Sequence, residues 1–489
     1  MKKIPAFLAF FFILLPIGSW AEQEVVFRIL DAETGKPIAA RCELTDPSGK
    51  HFFPSDEPAP GPDDPEYFYA WQKFPVKLQN DVEYTLKLRR GLGWNPIVQK
   101  FKIRKKDRLA TVGMTSWYRP AEKGWLAGDL DGRFNYYEPG LAMAAQEISV
   151  LCRVVAAPKA LADVEKISKG IFRLAEDRVY TGRDWGFGDF NVLGTPADVV
   201  GNETPFTASR IYYMDKGRKL GGLVDAVRPE RPEIPVAVAL GLVDSVRVVG
   251  PEWVGDSDWN RERVLKRFET YYRYLNCGFH LPVSAGSMAS EKGSSEQNVI
   301  GSSRLYCRIP KTFTLGAFFK TVREGRSWAT NGPALSLTVN GQDPGFILRT
   351  KDPKATLKVS FGARSNRRLD KVELVRNGEV IESIPGSASA DYVVKNLELP
   401  VGEGGWIAAR AFEVQTDSDS YPRYAHSSPV YIDKGGRPFH KKEIARDFSK
   451  QVTDLMRDLA VDKRISKEDK KRVLRWYLQA REKYHSLTW

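Results

Sequence analysis

Any chemistry in this chain falls to carboxylates rather than imidazoles. Of its five histidines, His51, His280, His426, His440 and His485, only His280 lies between residues 119 and 333, so a centre that needs several imidazoles from that stretch cannot be built. The same stretch holds Asp129, Asp131, Glu230, Glu252, Asp256 and Asp258, a set from which an all-carboxylate site for Mg²⁺, Mn²⁺ or Ca²⁺ is conceivable. A solvated rim or ordinary ion pairs is the plainer expectation for such acids. Arg133 stands two residues beyond Asp131. A guanidinium stays protonated and has no lone pair for a metal, so its expected role is a fixed counter-cation for Asp129 and Asp131. With that cation in place, the pocket would be metal-free and open to a small anion or a sugar. Ser287 closes Ser284-Ala-Gly-Ser287, which is not a Gly-x-Ser-x-Gly elbow. A Ser287–His280 pair of nucleophile and base is conceivable but unsupported, because an odd separation along one strand points two side chains to opposite faces; a structural role is the plainer expectation for His280. The ligand-binding candidates are therefore Asp129, Asp131, Arg133, His280 and Ser287. If a metal is held after all, Asp129, Asp131, Glu252 and Asp256 are its expected ligands. Trp253 and Trp259, either side of the acidic loop, are read as sugar-stacking platforms or as ordinary core and rim aromatics.

The elements that must position these residues alternate between helix and strand. Residues 139–147, 235–240 and 257–275 read as helical and 150–156 and 243–249 as strand-like; the pattern predicts an α/β layer or barrel with parallel strands over 119–333. Residues 279–283 read as a short strand running into the Ser-Ala-Gly-Ser turn, the kind of strand-end loop that faces substrate in α/β proteins. A helix over 315–323, a turn at Gly325 and an exit through Asn331-Gly332-Pro333 follow. The glycine tracts 182–188 and 217–222 read as loops.

Both flanks read as β. Residues 22–118 open with Asp31-Ala-Glu-Thr-Gly-Lys-Pro37, a turn in which Gly35 supplies positive φ. Tyr84, Leu86 and Leu88 alternate with polar residues at the period of a half-buried strand, and a Pro-rich acidic loop covers 54–65. Residues 334–435 return to period two, with Asn340-Gly341 and Asn377-Gly378 as turns. Residues 436–489 predict a helical hairpin: Ile444, Phe448, Val452, Leu455 and Leu459 share one face. Ser466-x-x-Asp469 caps a second helix that aligns Val473, Tyr477, Ala480, Tyr484 and Leu487.

Residues 1–21 read as a secretory leader, with Lys2 and Lys3, an apolar run too short to span a bilayer, and a Ser19-Trp20-Ala21 cleavage signature. Export to the periplasm or beyond is expected, with no transmembrane segment. The net charge of +13 favours acidic partners such as an anionic glycan, while the interspersed charge signs and the lack of a nucleic-acid motif argue against nucleic acid. Cys42, Cys152, Cys277 and Cys307 include no Cys-x-x-Cys pair; a Cys277–Cys307 clamp and free buried thiols are both open.

Two stretches carry a resemblance. Asn276-Cys-Gly-Phe-His-Leu-Pro-Val-Ser-Ala-Gly-Ser287, followed by Gly325-Arg-Ser-Trp-Ala-Thr-Asn-Gly-Pro333, resembles the CehA/McbA family of metallohydrolases, a branch of the PHP (polymerase and histidinol phosphatase) superfamily. The resemblance implies a multidomain α/β and β protein: a distorted, roughly seven-stranded β/α barrel between two β-sandwiches, with a helical tail. The opening 22–118 segment is similar to transthyretin-like or carboxypeptidase-regulatory-like modules. Members of the family hold two or three divalent metals that generate hydroxide, with ligands in Gly-Asp-x-His-x-His and in an Asp and a His after Ala-Gly-Ser. Asp131 and Arg133 stand where the paired histidines would be, and Met288 and Ser290 where the later ligands would be. The expectation is a degenerate site with no cofactor, binding a small anion or glycan. The alternatives are a hydrolase of esters, amides or phosphoesters with carboxylate-held Zn²⁺, Mn²⁺ or Mg²⁺, and a surface or glycan-binding module acting through the sandwiches.

Overall fold

A computed structural model describes residues 22–56, 66–132, 139–152, 173–174, 190–195, 206, 208–251, 260–289, 299–309, 313–352, 354–386, 392–416, 421–436 and 438–489. Residues 1–21, read from the sequence as a leader, the glycine tract at 182–188, and Arg133, Glu252, Trp253, Asp256, Asp258, Trp259 and Ser290 lie outside the described residues.

The first unit contains β1 (Glu22–Asp31), β2 (Ala39–Thr45), β3 (Phe68–Trp71), β4 (Lys73–Gln79), β5 (Glu83–Arg89), β6 (Ile97–Lys102) and β7 (Leu109–Met114). They form two sheets, β4-β1-β7 and β3-β2-β5-β6. Period-two alternation sends Val25, Phe27 and Ile29 from one sheet and Tyr84, Leu86 and Leu88 from the other into a single core. Each such side chain contributes about 1.5–3 kcal/mol on leaving water. The Asp31 turn forms as its sequence requires: the carboxylate accepts from Glu33 N at 3.0 Å and Thr34 Oγ1 at 2.8 Å, and Gly35 has φ +66°.

The central unit runs through β8 (Trp125–Asp129), β9 (Val150–Leu151), β10 (Arg173–Leu174), β11 (Phe190–Leu193), β12 (Leu223–Ala226), β13 (Ser245–Val249), β14 (Val283–Ala285), β15 (Arg304–Arg308) and β16 (Ser327–Thr330). In one four-stranded sheet, β12, β13 and β14 are parallel and β11 is antiparallel to β12. In the other, β8 pairs in parallel with β9 and antiparallel with β15, and β15 pairs with β16. The two sheets approach at the ends of β8 and β14, where Leu130 N donates to Ala285 O at 3.2 Å. Parallel pairing is therefore present but shares the unit with antiparallel ladders.

The second sheet does not stop at residue 333. The last strands are β17 (Ala334–Val339), β18 (Ile347–Thr350), β19 (Thr356–Arg364), β20 (Leu369–Arg376), β21 (Glu379–Pro385), β22 (Tyr392–Pro400), β23 (Gly405–Glu413), β24 (Tyr424–Ser427) and β25 (Val430–Lys434). β16 pairs with β24, and the ladder continues through β23, β20 and β21. The three-stranded sheet β17-β19-β22 belongs to the same apolar core as this ladder, giving a second β-sandwich. Its β20–β21 hairpin turns on Asn377 and Gly378, both at positive φ as a two-residue turn requires.

The chain ends in two helices, Lys442–Val461 and Lys467–Ser486, packed as a pair. Ser466 caps the second, accepting from Asp469 N at 3.0 Å. Tyr477 of this helix donates to Glu233 at 2.7 Å, tying the tail to the central unit. No helix among the described residues is long and apolar enough to cross a membrane.

Three local expectations need correction. The strand predicted at 279–283 begins at Val283, because Pro282 has no N–H to give a ladder. Gly217 sits inside the Ile211–Lys219 helix rather than in a loop; a Cβ there would meet Val192 at 2.5 Å, so the glycine lets the helix lie against β11. The Cys277–Cys307 clamp is not formed: both thiols are unbridged and buried. Burial pushes the Cys277 thiol up to about 12, which leaves it protonated and unreactive near neutrality.

Candidate functional site

Register builds the site before any loop does. Asn191 lies opposite Asp225, Asp225 opposite Ser245, and Arg247 opposite Ser284 in adjacent strands. Residues two apart on a strand share a face, so these five polar side chains occupy one face of the β11–β14 sheet. Val192, Val224, Val246, Val248 and Val283 fill the other as core. The polar face is buried, so its groups must satisfy one another.

They do so around Arg247. Its Nη1 donates to Asp131 Oδ2 at 2.6 Å and its Nη2 to Asp225 Oδ2 at 3.0 Å, with all three side chains fully buried. Asn191 turns its amide oxygen to Nη2 at 2.9 Å. The other oxygen of Asp225 accepts from Ser245 Oγ at 2.7 Å and from Ser284 Oγ. Burial works against the charge on Arg247, but Asp131 and Asp225 outweigh it and raise the guanidinium pKa above its ordinary value. Gly286 permits this close approach: a Cβ there would meet Asp131 Cβ at 2.6 Å and Arg247 Cζ at 3.1 Å. Arg247 Nε is buried without a hydrogen-bond partner.

Asp129 is a separate, saturated carboxylate. Oδ1 accepts from Asp131 N and Ser287 N, both at 3.0 Å, and Oδ2 from Ser287 Oγ at 2.5 Å and Gly301 N at 2.8 Å. Burial pushes its carboxyl above the usual range, against the pull of these four donors. Ser287 thus spends its proton on Asp129.

The sequence candidates are partly reunited. Asp129, Asp131 and Ser287 meet in this centre. His280 does not: it stacks on Tyr431, with ring centroids 4.0 Å apart, and borders a different cleft, lined also by Arg323, Arg326 and Arg349. Glu230 is exposed. His426, placed by sequence in the flanking sandwich, packs on the Arg261–Leu275 helix, where Tyr272 Oη lies 2.7 Å from its Nε2.

The described residues do not fit a divalent cation. Asp129 has its oxygens taken by four donors, and Asp131 and Asp225 turn an oxygen each to a guanidinium that would repel a metal. Among the described residues, no group of three or more His, Cys, Asp or Glu side chains is placed to hold a metal ion. Arg247, Asp225, Asn191, Ser245 and Ser284 were not singled out by the sequence reading. The available signal was a charged residue inside an apolar strand, Leu-Val-Asp-Ala and Ser-Val-Arg-Val-Val, where burial demands a partner.

No family model matches the chain, and no curated protein matches it. Among solved structures, the C-terminal domain of the shaft pilin SpaA from Lactobacillus rhamnosus GG aligns over 20% of this chain and 98% of its own length. Its identity of 16% and TM-score of 0.15 carry no argument.

Proposed function

We propose that this chain is an exported, CehA/McbA-like protein whose hydrolytic centre has been retired and which binds a small anion or glycan instead of cleaving one. One observation carries the reading: the fully buried Arg247 bridges Asp131 and Asp225, a fixed cation on one of the carboxylates expected to hold a metal. An arginine in that place cannot polarise water or lower its pKa as a Lewis acid does. Arg247 supplies these carboxylates with a counter-charge but no Lewis acid to activate a water. The sequence leader supports export, and the net charge of +13 favours anionic ligands. The carboxylate-metal hydrolase is the weaker reading, because Asp129 is saturated and Asp131 is already ion-paired.

The test is turnover of aryl ester, carbamate and phosphoester substrates by the purified chain with Zn²⁺, Mn²⁺ or Mg²⁺ added. The expected result is no saturable, metal-stimulated activity. Metal-dependent turnover abolished by Asp131→Asn would refute the proposal.

A further inference from the structure

A cleft of about 450 Å³ opens where the first unit, the central unit and the second sandwich meet. Arg41, Arg89 and Arg90 from the first unit, Arg304 from the central unit, and Arg367 and Arg423 from the second sandwich converge on it, and none of the described residues lining it is acidic. Arg90 is held by Glu147 at 3.1 Å, and Arg423 and Arg367 share Glu413 at 2.8 and 3.7 Å. Arg304 is different. It is fully buried, its Nε and Nη1 donate to the carbonyls of Gly301 at 2.7 Å and Gln146 at 2.8 Å, the Tyr306 phenol is a further polar neighbour, its Nη2 is buried without a hydrogen-bond partner, and no ion pair joins it to a carboxylate among the described residues. A buried guanidinium served by neutral groups alone is costly unless an anion completes it. Arg41 and Arg89 face each other directly across β2 and β5, which gathers positive charge on the same side of the cleft.

The larger cleft of about 780 Å³ beside His280 lacks this imbalance. Its arginines each have a carboxylate: Arg308 with Asp343 at 3.5 Å, Arg323 with Asp244 at 3.4 Å, Arg326 with Glu324 at 3.2 Å and Arg349 with Asp433 at 3.9 Å.

We propose that the three-way cleft is an anion site, with Arg304 as the buried anchor and Arg41 at its mouth, for a small molecule carrying two or more sulfate, phosphate or carboxylate groups. Planar guanidinium forks match the paired oxygens of such groups, and the volume suits a disaccharide-sized ligand. The floor of the cleft includes Gly301, whose amide holds Asp129, so the site lies directly against the carboxylate centre. This deepens the ligand-binding reading by saying where the anion sits.

Calorimetric titration of the purified chain with inorganic pyrophosphate and with a sulfated uronic-acid disaccharide tests it, the unsulfated disaccharide serving as control. Saturable binding of one anionic probe per chain is expected, weakening from 50 to 300 mM NaCl and unmatched by the control. Preference between the two probes separates an inorganic anion from a glycan. Arg41→Gln and Arg304→Met should each weaken binding about tenfold or more, and Arg349→Gln, in the other cleft, should not. Should Arg304→Met fail to fold, Arg41→Gln alone decides. Binding that survives both substitutions overturns the cleft while leaving the ligand-binding reading intact; no binding by the unaltered chain overturns both.

Discussion

Replacing Arg247 by methionine is the sharpest structural perturbation of the centre. The substitution keeps most of the volume and removes the charge, leaving Asp131 Oδ2 and Asp225 Oδ2 without the donors they now have at 2.6 and 3.0 Å in a fully buried setting. At an effective dielectric near 20, each contact carries about 6 kcal/mol of Coulomb attraction. Much of this is offset by the desolvation of three ions, so the expected net loss for breaking one member of such a group is about 3–5 kcal/mol. That is a large share of the roughly 5–15 kcal/mol by which domains are stable. Urea unfolding followed by tryptophan fluorescence and circular dichroism reads the loss directly. Arg247→Met combined with Asp131→Asn and Asp225→Asn removes the stranded charges together with the cation and should recover more than half of it. A loss below about 1 kcal/mol in the single variant, or no recovery in the triple one, refutes the claim that Arg247 is the counter-cation.

Two further outcomes follow from the same packing. Burial lowers the pKa of His426 to about 3, with Arg410 acting the same way against the pull of the Ser427 carbonyl. The unfolded chain therefore binds a proton near pH 6.5 that the folded chain refuses, so stability is lost as pH falls through the window from about 6.5 to about 3. By pH 5 the loss from this residue is about 2 kcal/mol, and His426→Gln should remove that part of the slope of urea midpoint against pH; an unchanged slope contradicts the assignment. Gly301→Ala should destabilise by about 2 kcal/mol or more, since φ is +69° and the new Cβ meets Ile148 at 2.6 Å and Arg304 Nη2 at 2.9 Å. Thermal unfolding within a degree or two of the parent would show that the loop holding Asp129 is looser than described.

The sequence made the periodic elements legible and left the centre half read. The Ser466 cap, the buried stripe of the tail and the Asn377-Gly378 turn depend on neighbours a few residues away, and they stand where local chemistry puts them. The need for a cation beside Asp131 was legible too, as a counter-charge for a buried carboxylate, whereas Asp129, expected to share it, takes four neutral donors instead. The identity of the cation was not. The nearest arginine in sequence, Arg133, lies outside the described residues, whereas Arg247 reaches Asp131 from 116 positions away through strand register that no local pattern encodes. His426 was hidden for a similar reason: the sheet passes through residue 333 without a break and carries a flanking strand under the central helix. Pro282 and Gly217 were misread on finer grounds, one a missing donor and the other a glycine chosen for close packing rather than for a turn.

The central claim is that a guanidinium has taken the place of a metal. Elemental mass spectrometry of the purified chain, after incubation with Zn²⁺, Mn²⁺ and Mg²⁺ and exhaustive dialysis, tests it most directly. The account predicts well under one ion per chain, for the unaltered protein and for Asp131→Asn alike. One or more tightly held ions per chain, lost in Asp131→Asn, would contradict it.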